Sequence, residues 1–182
     1  MDLSKYTLYS SGLKGAETAF GEEAEKAGIT EVVYSFEGHK LSRDKNVVIL
    51  DKEQLERGDI SMELASRMLH RTYYETDKIR KVLQTIFHMI NSGHQVFVVG
   101  AIKEDGSVKG GTGWAVELAK MFNRPLHVFD QPQKHWFTWK NGSWQEDAPR
   151  IEYETFVGSG TRYLSEAGRE AIAQLFRDSF QQ

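Results

Sequence analysis

Two glycine-rich stretches carry the residue types best suited to chemistry. Ser10-Ser11-Gly12-Leu13-Lys14-Gly15-Ala16-Glu17 follows a β-like run and opens a helical pattern. Lys109-Gly110-Gly111-Thr112-Gly113-Trp114-Ala115-Val116-Glu117 does the same after Gln95–Ala101 and a polar loop. Glycine lets backbone N–H groups at a helix N-terminus approach an anion, and a hydroxyl or an ammonium group adds to the hold. The spacing therefore describes two phosphate cradles: Ser10, Ser11, Gly12, Lys14 and Gly15 in the first, and Gly110, Gly111, Thr112 and Gly113 in the second. Taken singly, either turn reads equally well as an ordinary strand-to-helix connection whose glycines relieve backbone strain. Two on one chain favour the cradle. Neither contains the Gly-Lys-Ser/Thr of a Walker loop or the Gly-x-Gly-x-x-Gly dinucleotide spacing, which argues against generic NTPase and dehydrogenase functions.

Other chemistries find little support. The chain has no cysteine, so thiolate nucleophiles, disulfides and iron–sulfur ligation fall together. Its six histidines, His39, His70, His88, His94, His127 and His135, show no metal-ligand spacing, and there is no Gly-x-Ser-x-Gly elbow. With 23 basic and 26 acidic residues the net charge is −3, which argues against nucleic acid as a partner. The basic cluster Arg67, Arg71, Lys78, Arg80 and Lys81 reads as a solvated helix face. The longest apolar stretch, Val96 to Ile102, is far short of the roughly 20 residues a membrane span needs. With the charged start Met1–Lys5, this leads us to expect a cytoplasmic protein with no membrane association.

The elements that must position the glycine turns follow from periodicity. Six short runs rich in β-branched and aromatic residues stand at Tyr6–Ser10, Glu31–Phe36, Asn46–Leu50, Gln95–Ala101, Pro125–Phe129 and Glu152–Val157. Between them, Ala16, Ala19, Phe20, Ala24 and Ala27 share one helical face, as do Ile79, Val82, Leu83, Ile86, Phe87 and Ile90. Ala115, Leu118, Ala119 and Phe122 form a third such face, and a last helix carries Ala167, Ala171, Ile172, Leu175 and Phe176 behind an N-cap at Ser165. Alternating strands and helices predict a Rossmann-like α/β fold, a mostly parallel sheet with helices on both faces, in one domain over 1–182. Asn141-Gly142 predicts a small β-hairpin over about 134–144. Trp136, Trp139 and Trp144 lie in or beside it, either packing over the sheet end or forming an aromatic wall for a flat ligand or a second subunit. We expect a homo-oligomer, since the Ile79–Ile90 face is apolar enough either to cover the sheet or to form a two-fold interface.

Three motifs together carry a family resemblance. Gly110-Gly111-Thr112-Gly113-Trp114-Ala115-Val116-Glu117 resembles the Gly-Gly-x-Gly-Thr-x-x-Glu motif of the LOG proteins, with Trp114 in place of threonine and no proline before Gly110. Ser11-Gly12-Leu13-Lys14-Gly15-Ala16-Glu17 is similar to the Ser-Gly-Gly-Ala-x-Gly turn of the wider SLOG superfamily, which holds DprA/Smf and the putative molybdenum carriers. Phe156-Val157-Gly158-Ser159-Gly160-Thr161-Arg162 is similar to the Val-Gly-Ser/Thr-Arg strand and turn that usually begins such domains; here it comes late, so the motif order is rotated.

The resemblance implies a domain that binds a nucleotide or nucleotide-derived ligand across the two turns, with Gly158, Gly160 and Thr161 adding to the site. In the LOG branch it implies hydrolysis of a nucleoside 5′-monophosphate to free base and ribose 5-phosphate. There Glu117, one turn into its helix, would touch the ribose and steady charge at the anomeric carbon, with Arg162 on the phosphate. Glu17 occupies the equivalent place on the first helix, and the two carboxylates could share acid and base roles or hold a divalent metal ion. Either glutamate could equally be dipole compensation in a first helical turn. Arg71 is a second candidate for phosphate, and Asp130 and Gln131, after Pro125–Phe129, could read a base or ribose edge. Loss of the LOG threonine and the rotated order favour binding over catalysis.

Overall fold

The computed structural model describes residues 1–73 and 76–181. Its frame is one sheet of eight strands: β1 (Thr7–Ser10), β2 (Thr30–Ser35), β3 (Val47–Ile49), β4 (Gln95–Gly100), β5 (Leu126–Asp130), β6 (His135–Lys140), β7 (Ser143–Glu146) and β8 (Thr155–Gly160). They lie in the order β3-β2-β1-β8-β4-β5-β6-β7. The six from β3 to β5 run parallel, and β6 and β7 close the other edge as an antiparallel hairpin. The expected α/β fold is what forms, and Asn141 and Gly142, at φ 52° and 77°, supply the positive dihedrals of the hairpin's tight turn.

Every residue of β4 is buried, because helices cover both faces. On one face lie α1 (Ala16–Ala27) and α6 (Glu166–Phe180), packed with Leu8, Phe97, Val99, Phe129 and Phe156. On the other lie α3 (Asp59–Leu69), α4 (Asp77–Ser92) and α5 (Thr112–Met121), packed with Val96, Val98, Val128 and Val157. The apolar face of α4 goes inward: Leu83, Ile86, Met89 and Ile90 are buried in that second layer. Among the described residues no helix is long and apolar enough to cross a membrane.

Periodicity missed the short α2 (Lys52–Glu56) and α3. The signal was nonetheless present: Asp51 and Gln54 form a reciprocal capping box at the start of α2, and Met62, Ala65 and Leu69 bury one side of α3.

The last strand in the sequence occupies the middle of the sheet. β8 pairs with β1, Leu8 opposite Phe156, and with β4, Val96 opposite Val157. Gly158 permits this: a Cβ there would lie 2.4 Å from Phe20 Cγ, so α1 packs directly on the strand backbone. The chain leaves β1 through α1 towards one sheet edge and leaves β4 through α5, on the opposite face, towards the other. The strand order thus reverses around β8. In open α/β sheets a crevice forms at the carboxyl ends of the strands at such a reversal.

The hairpin is pinned by side chains. Trp136 meets Phe97 and Phe129 edge-on at 6.0 and 5.5 Å. Thr138 Oγ1 donates to Asp147 Oδ2 at 2.7 Å and sits 2.7 Å from His127 Nδ1, while the Gln95 amide lies 2.9 Å from His127 Nε2. Burial pushes the His127 imidazole down to about 4, so it is neutral near pH 7.

Candidate functional site at the carboxyl edge

Three of the sequence motifs end at this reversal. The first turn connects β1 to α1, the Gly160–Arg162 segment follows β8, and the second turn leads into α5 after β4.

The first turn is built by its own neighbours. Gly12 has φ 66°, and a Cβ there would lie 2.4 Å from Arg43 O; its carbonyl accepts from Ser42 N and Arg43 N. Gly15 has φ 98°, and a Cβ would lie 2.4 Å from Thr161 O and 2.6 Å from Arg162 Cα. The Ala16 N–H, first in α1, donates to Thr161 O at 3.0 Å. The turn and the end of β8 are therefore in backbone contact. Glu17 organises both: its buried carboxylate accepts from Ser11 N, Ser11 Oγ and Leu13 N, and from Ser159 Oγ at 3.0 Å. Burial pushes this carboxyl up from its ordinary value, against the pull of those donors. Ser10 Oγ accepts from Gly12 N at 3.2 Å, so Ser10, Ser11 and Glu17 all face into the protein.

Donors remain at this turn. The backbone N–H groups of Lys14 and Gly15 have no hydrogen bond among the described residues. The exposed side chains of Lys14 and Arg162 likewise have no partner there. Two cations and two backbone donors at one helix N-terminus make a local anion-attracting spot on a chain of net charge −3.

The β8 end is held from the far side. Gly160, at φ 148°, would place a Cβ 2.3 Å from Val99 O, and Thr161 N donates to that same carbonyl at 2.9 Å. Thr161 Oγ1 accepts from Tyr163 N. Gln131 Oε1 accepts from Ser165 N at 2.7 Å and its amide donates to Tyr163 O. Asp130, almost wholly buried, accepts from Ile102 N at 2.7 Å and Gln133 N at 3.1 Å. Asp130 and Gln131 thus tie the loops after β4, β5 and β8 together.

The second turn is open. Gly110 and Gly111 are exposed, and a Cβ on either would meet nothing within 4 Å. Gly110, at φ 74°, needs its freedom for the turn; Gly111 sits in ordinary helical dihedrals. The N–H groups of Gly111 and Thr112 have no hydrogen bond among the described residues. Arg71 supports the loop from beneath, Nη1 donating to Gly110 O at 2.6 Å and Nη2 to Val108 O at 3.0 Å. Gly113 is needed for closeness, since a Cβ would lie 2.2 Å from Val108 O.

Glu117 lies deeper. It is buried, 3.7 Å from Lys120 Nζ, and that ammonium sits 3.8 Å over the Trp139 ring. Burial holds the Lys120 amine below its usual value. Trp139 and Trp144 contact edge-on at 5.0 Å, and the Trp144 indole donates to Gly106 O at 2.8 Å. Glu117, Lys120 and two tryptophans therefore join α5 to the hairpin and the loop after β4. Among the described residues no group of three or more His, Asp or Glu is arranged to hold a metal ion.

Sequence reasoning missed Ser159 as a partner of Glu17, and it missed Tyr9, which lies within β1 stacked on Tyr34 at 5.9 Å and 11°. Neither residue carries a one-dimensional signal, because both contacts join segments distant in sequence. Compared with known proteins, the chain matches no family model, no curated protein and no solved structure.

Proposed function

We propose that this chain binds a nucleotide or nucleotide-derived ligand in the crevice where β1, β8 and β4 end, in the manner of a SLOG-type domain. The observation that carries the reading is the convergence of two helix N-termini at the strand reversal. Among the described residues each has two unbonded backbone N–H groups, and Lys14 and Arg162, without side-chain partners there, stand beside the first. A phosphate seated on Lys14 N and Gly15 N would take the Arg162 fork and the Lys14 ammonium. The open Gly110–Thr112 backbone faces the remainder of the ligand.

The placement of the glutamates favours binding over turnover. Glu17 already accepts from two backbone N–H groups and two hydroxyls, and Glu117 is buried beside Lys120. A LOG-like phosphoribohydrolase would need such a carboxylate free to face the anomeric carbon.

Titration calorimetry with a panel of nucleoside 5′-mono- and diphosphates tests the reading, with chromatography for free base on the same samples. Saturable binding without base release is expected, weakened about tenfold by Arg162→Ala. Absence of binding across the panel overturns the proposal. Base release abolished by Glu117→Gln replaces it with the hydrolase.

A further inference from the structure

A cavity of about 600 Å³ lies between α2, the first half of α4 and the chain just past β2 and β3, and it shares no residue with either glycine-rich turn. That volume is in the range that holds a small organic molecule. Phe36 and Leu50, the residues directly after β2 and β3, form an apolar wall with Leu55 of α2, and all three are buried.

The polar groups of this cavity are unbalanced. Each cation that lines it already has a carboxylate: Arg80 meets Asp59 at 3.2 Å, Lys81 meets Asp77 at 3.1 Å and Lys52 meets Glu56 at 3.9 Å. Glu37 and Asp51, exposed at its mouth, have no cation among the described residues. Gln84, which also lines it, is only 4% exposed, and its amide nitrogen donates to Asp59 Oδ1 at 2.9 Å. The Gln84 amide oxygen accepts no hydrogen bond among the described residues. A buried acceptor left unmet is costly, and one that lines a cavity points to a ligand that donates.

The surplus is therefore all acceptor and all negative, beside an apolar wall. We propose that this cavity binds a small organic ammonium, a primary amine carried on an apolar or aromatic body. The body lies on Phe36, Leu50 and Leu55, the ammonium donates to Gln84 Oε1, and Glu37 and Asp51 draw positive charge to the mouth. A bare metal ion does not suit the cavity, since among the described residues no group of three or more carboxylates or imidazoles is arranged to hold one. An anion would meet carboxylates with no cation to spare. The inference goes beyond the nucleotide reading and does not rest on it.

Nuclear magnetic resonance titration of the isotope-labelled full chain tests it, with phenethylamine as the probe and phenylpropionate, the same body ending in a carboxylate, as its counterpart. Phenethylamine should shift, saturably, the Gln84 side-chain amide and the backbone amides of Phe36, Leu50 and Leu55, while phenylpropionate should leave them in place. Gln84→Leu should weaken phenethylamine about tenfold. Glu37→Gln combined with Asp51→Asn should do the same; both positions are exposed and asparagine can still cap α2, so this variant stays readable if the buried change disturbs the fold. No saturable response, shifts confined to other parts of the chain, or an equal response to phenylpropionate overturns the proposal. An affinity unmoved by either change in a folded variant overturns it as well.

Discussion

The two glycine-rich turns resemble each other in sequence and differ in what their glycines do. In the first, Gly12 and Gly15 hold positive φ, and a side chain on either would strike a backbone carbonyl at 2.4 Å. In the second, a Cβ on Gly110 or Gly111 would meet nothing within 4 Å, and Gly111 lacks even a dihedral reason to be glycine. The first turn is therefore shaped by the protein's own packing, with its donors left at the rim. The second presents bare backbone to whatever approaches α5. Similar motifs can thus carry glycine for different reasons, close packing at Gly12, Gly15 and Gly113 and an open backbone at Gly110 and Gly111.

Substitutions separate these causes, and the largest effect belongs to the first turn. Gly15→Ala sets a Cβ against Thr161 O and Arg162 Cα in a left-handed backbone, and should cost about 4 kcal/mol in urea denaturation. A loss under about 1 kcal/mol would erase the contrast with Gly111.

Glu17→Gln comes next, at about 2 kcal/mol, since one amide oxygen cannot serve the donors of Ser11, Leu13 and Ser159. This loss depends on pH. Burial raises the folded-state carboxyl above the unfolded value near 4.5, so folding takes up a proton between the two. That contribution is complete below the unfolded value and is lost as pH rises through the folded one. Glutamine has none of it, so the gap between native chain and variant should widen from pH 7.5 towards pH 5, measured by the same denaturation.

Arg71→Lys replaces a fork reaching two carbonyls, Gly110 O and Val108 O, by a single ammonium, and should cost about 1 kcal/mol. Smallest of all, Gly111→Ala should change stability by less than about 0.5 kcal/mol while weakening nucleotide binding about tenfold in calorimetry. Unaltered affinity would show that the exposed backbone at Gly111 is not a contact.

The frame was readable because parallel-sheet strands are apolar on both faces, and Val96-Phe97-Val98-Val99 announces a central strand without help from context. Asn141-Gly142 announced the hairpin for an equally local reason. Helix α3 escaped because it exposes Ile60, Leu64 and Met68 while burying Met62, Ala65 and Leu69, which blurs the single apolar face that periodicity seeks, and α2 because its five residues bury only Leu55. Residue types placed the glycine-rich turns at the carboxyl edge of the sheet, where they lie, but not each side chain's partners. Glu17 reaches the Ser159 hydroxyl on β8, and Asp130 and Gln131 bind backbone groups in neighbouring loops, and that follows only once β8 has been placed between β1 and β4. The position of β8 depends on pairing between distant segments, which one-dimensional patterns do not encode.

That central position also sets a timetable for folding. Without β8 the sheet is two separate halves, β3-β2-β1 and β4-β5-β6-β7, each presenting an unpaired apolar edge at β1 or β4. A chain emerging from the ribosome holds both halves open until its sequence-last strand arrives to join them. Closure therefore comes late and through long-range contacts, a slow step during which the two exposed edges are templates for misassociation. The same strand carries Ser159 to Glu17 and Thr161 to the N-terminus of α1, so the first turn acquires its buried partners in the very step that completes the sheet.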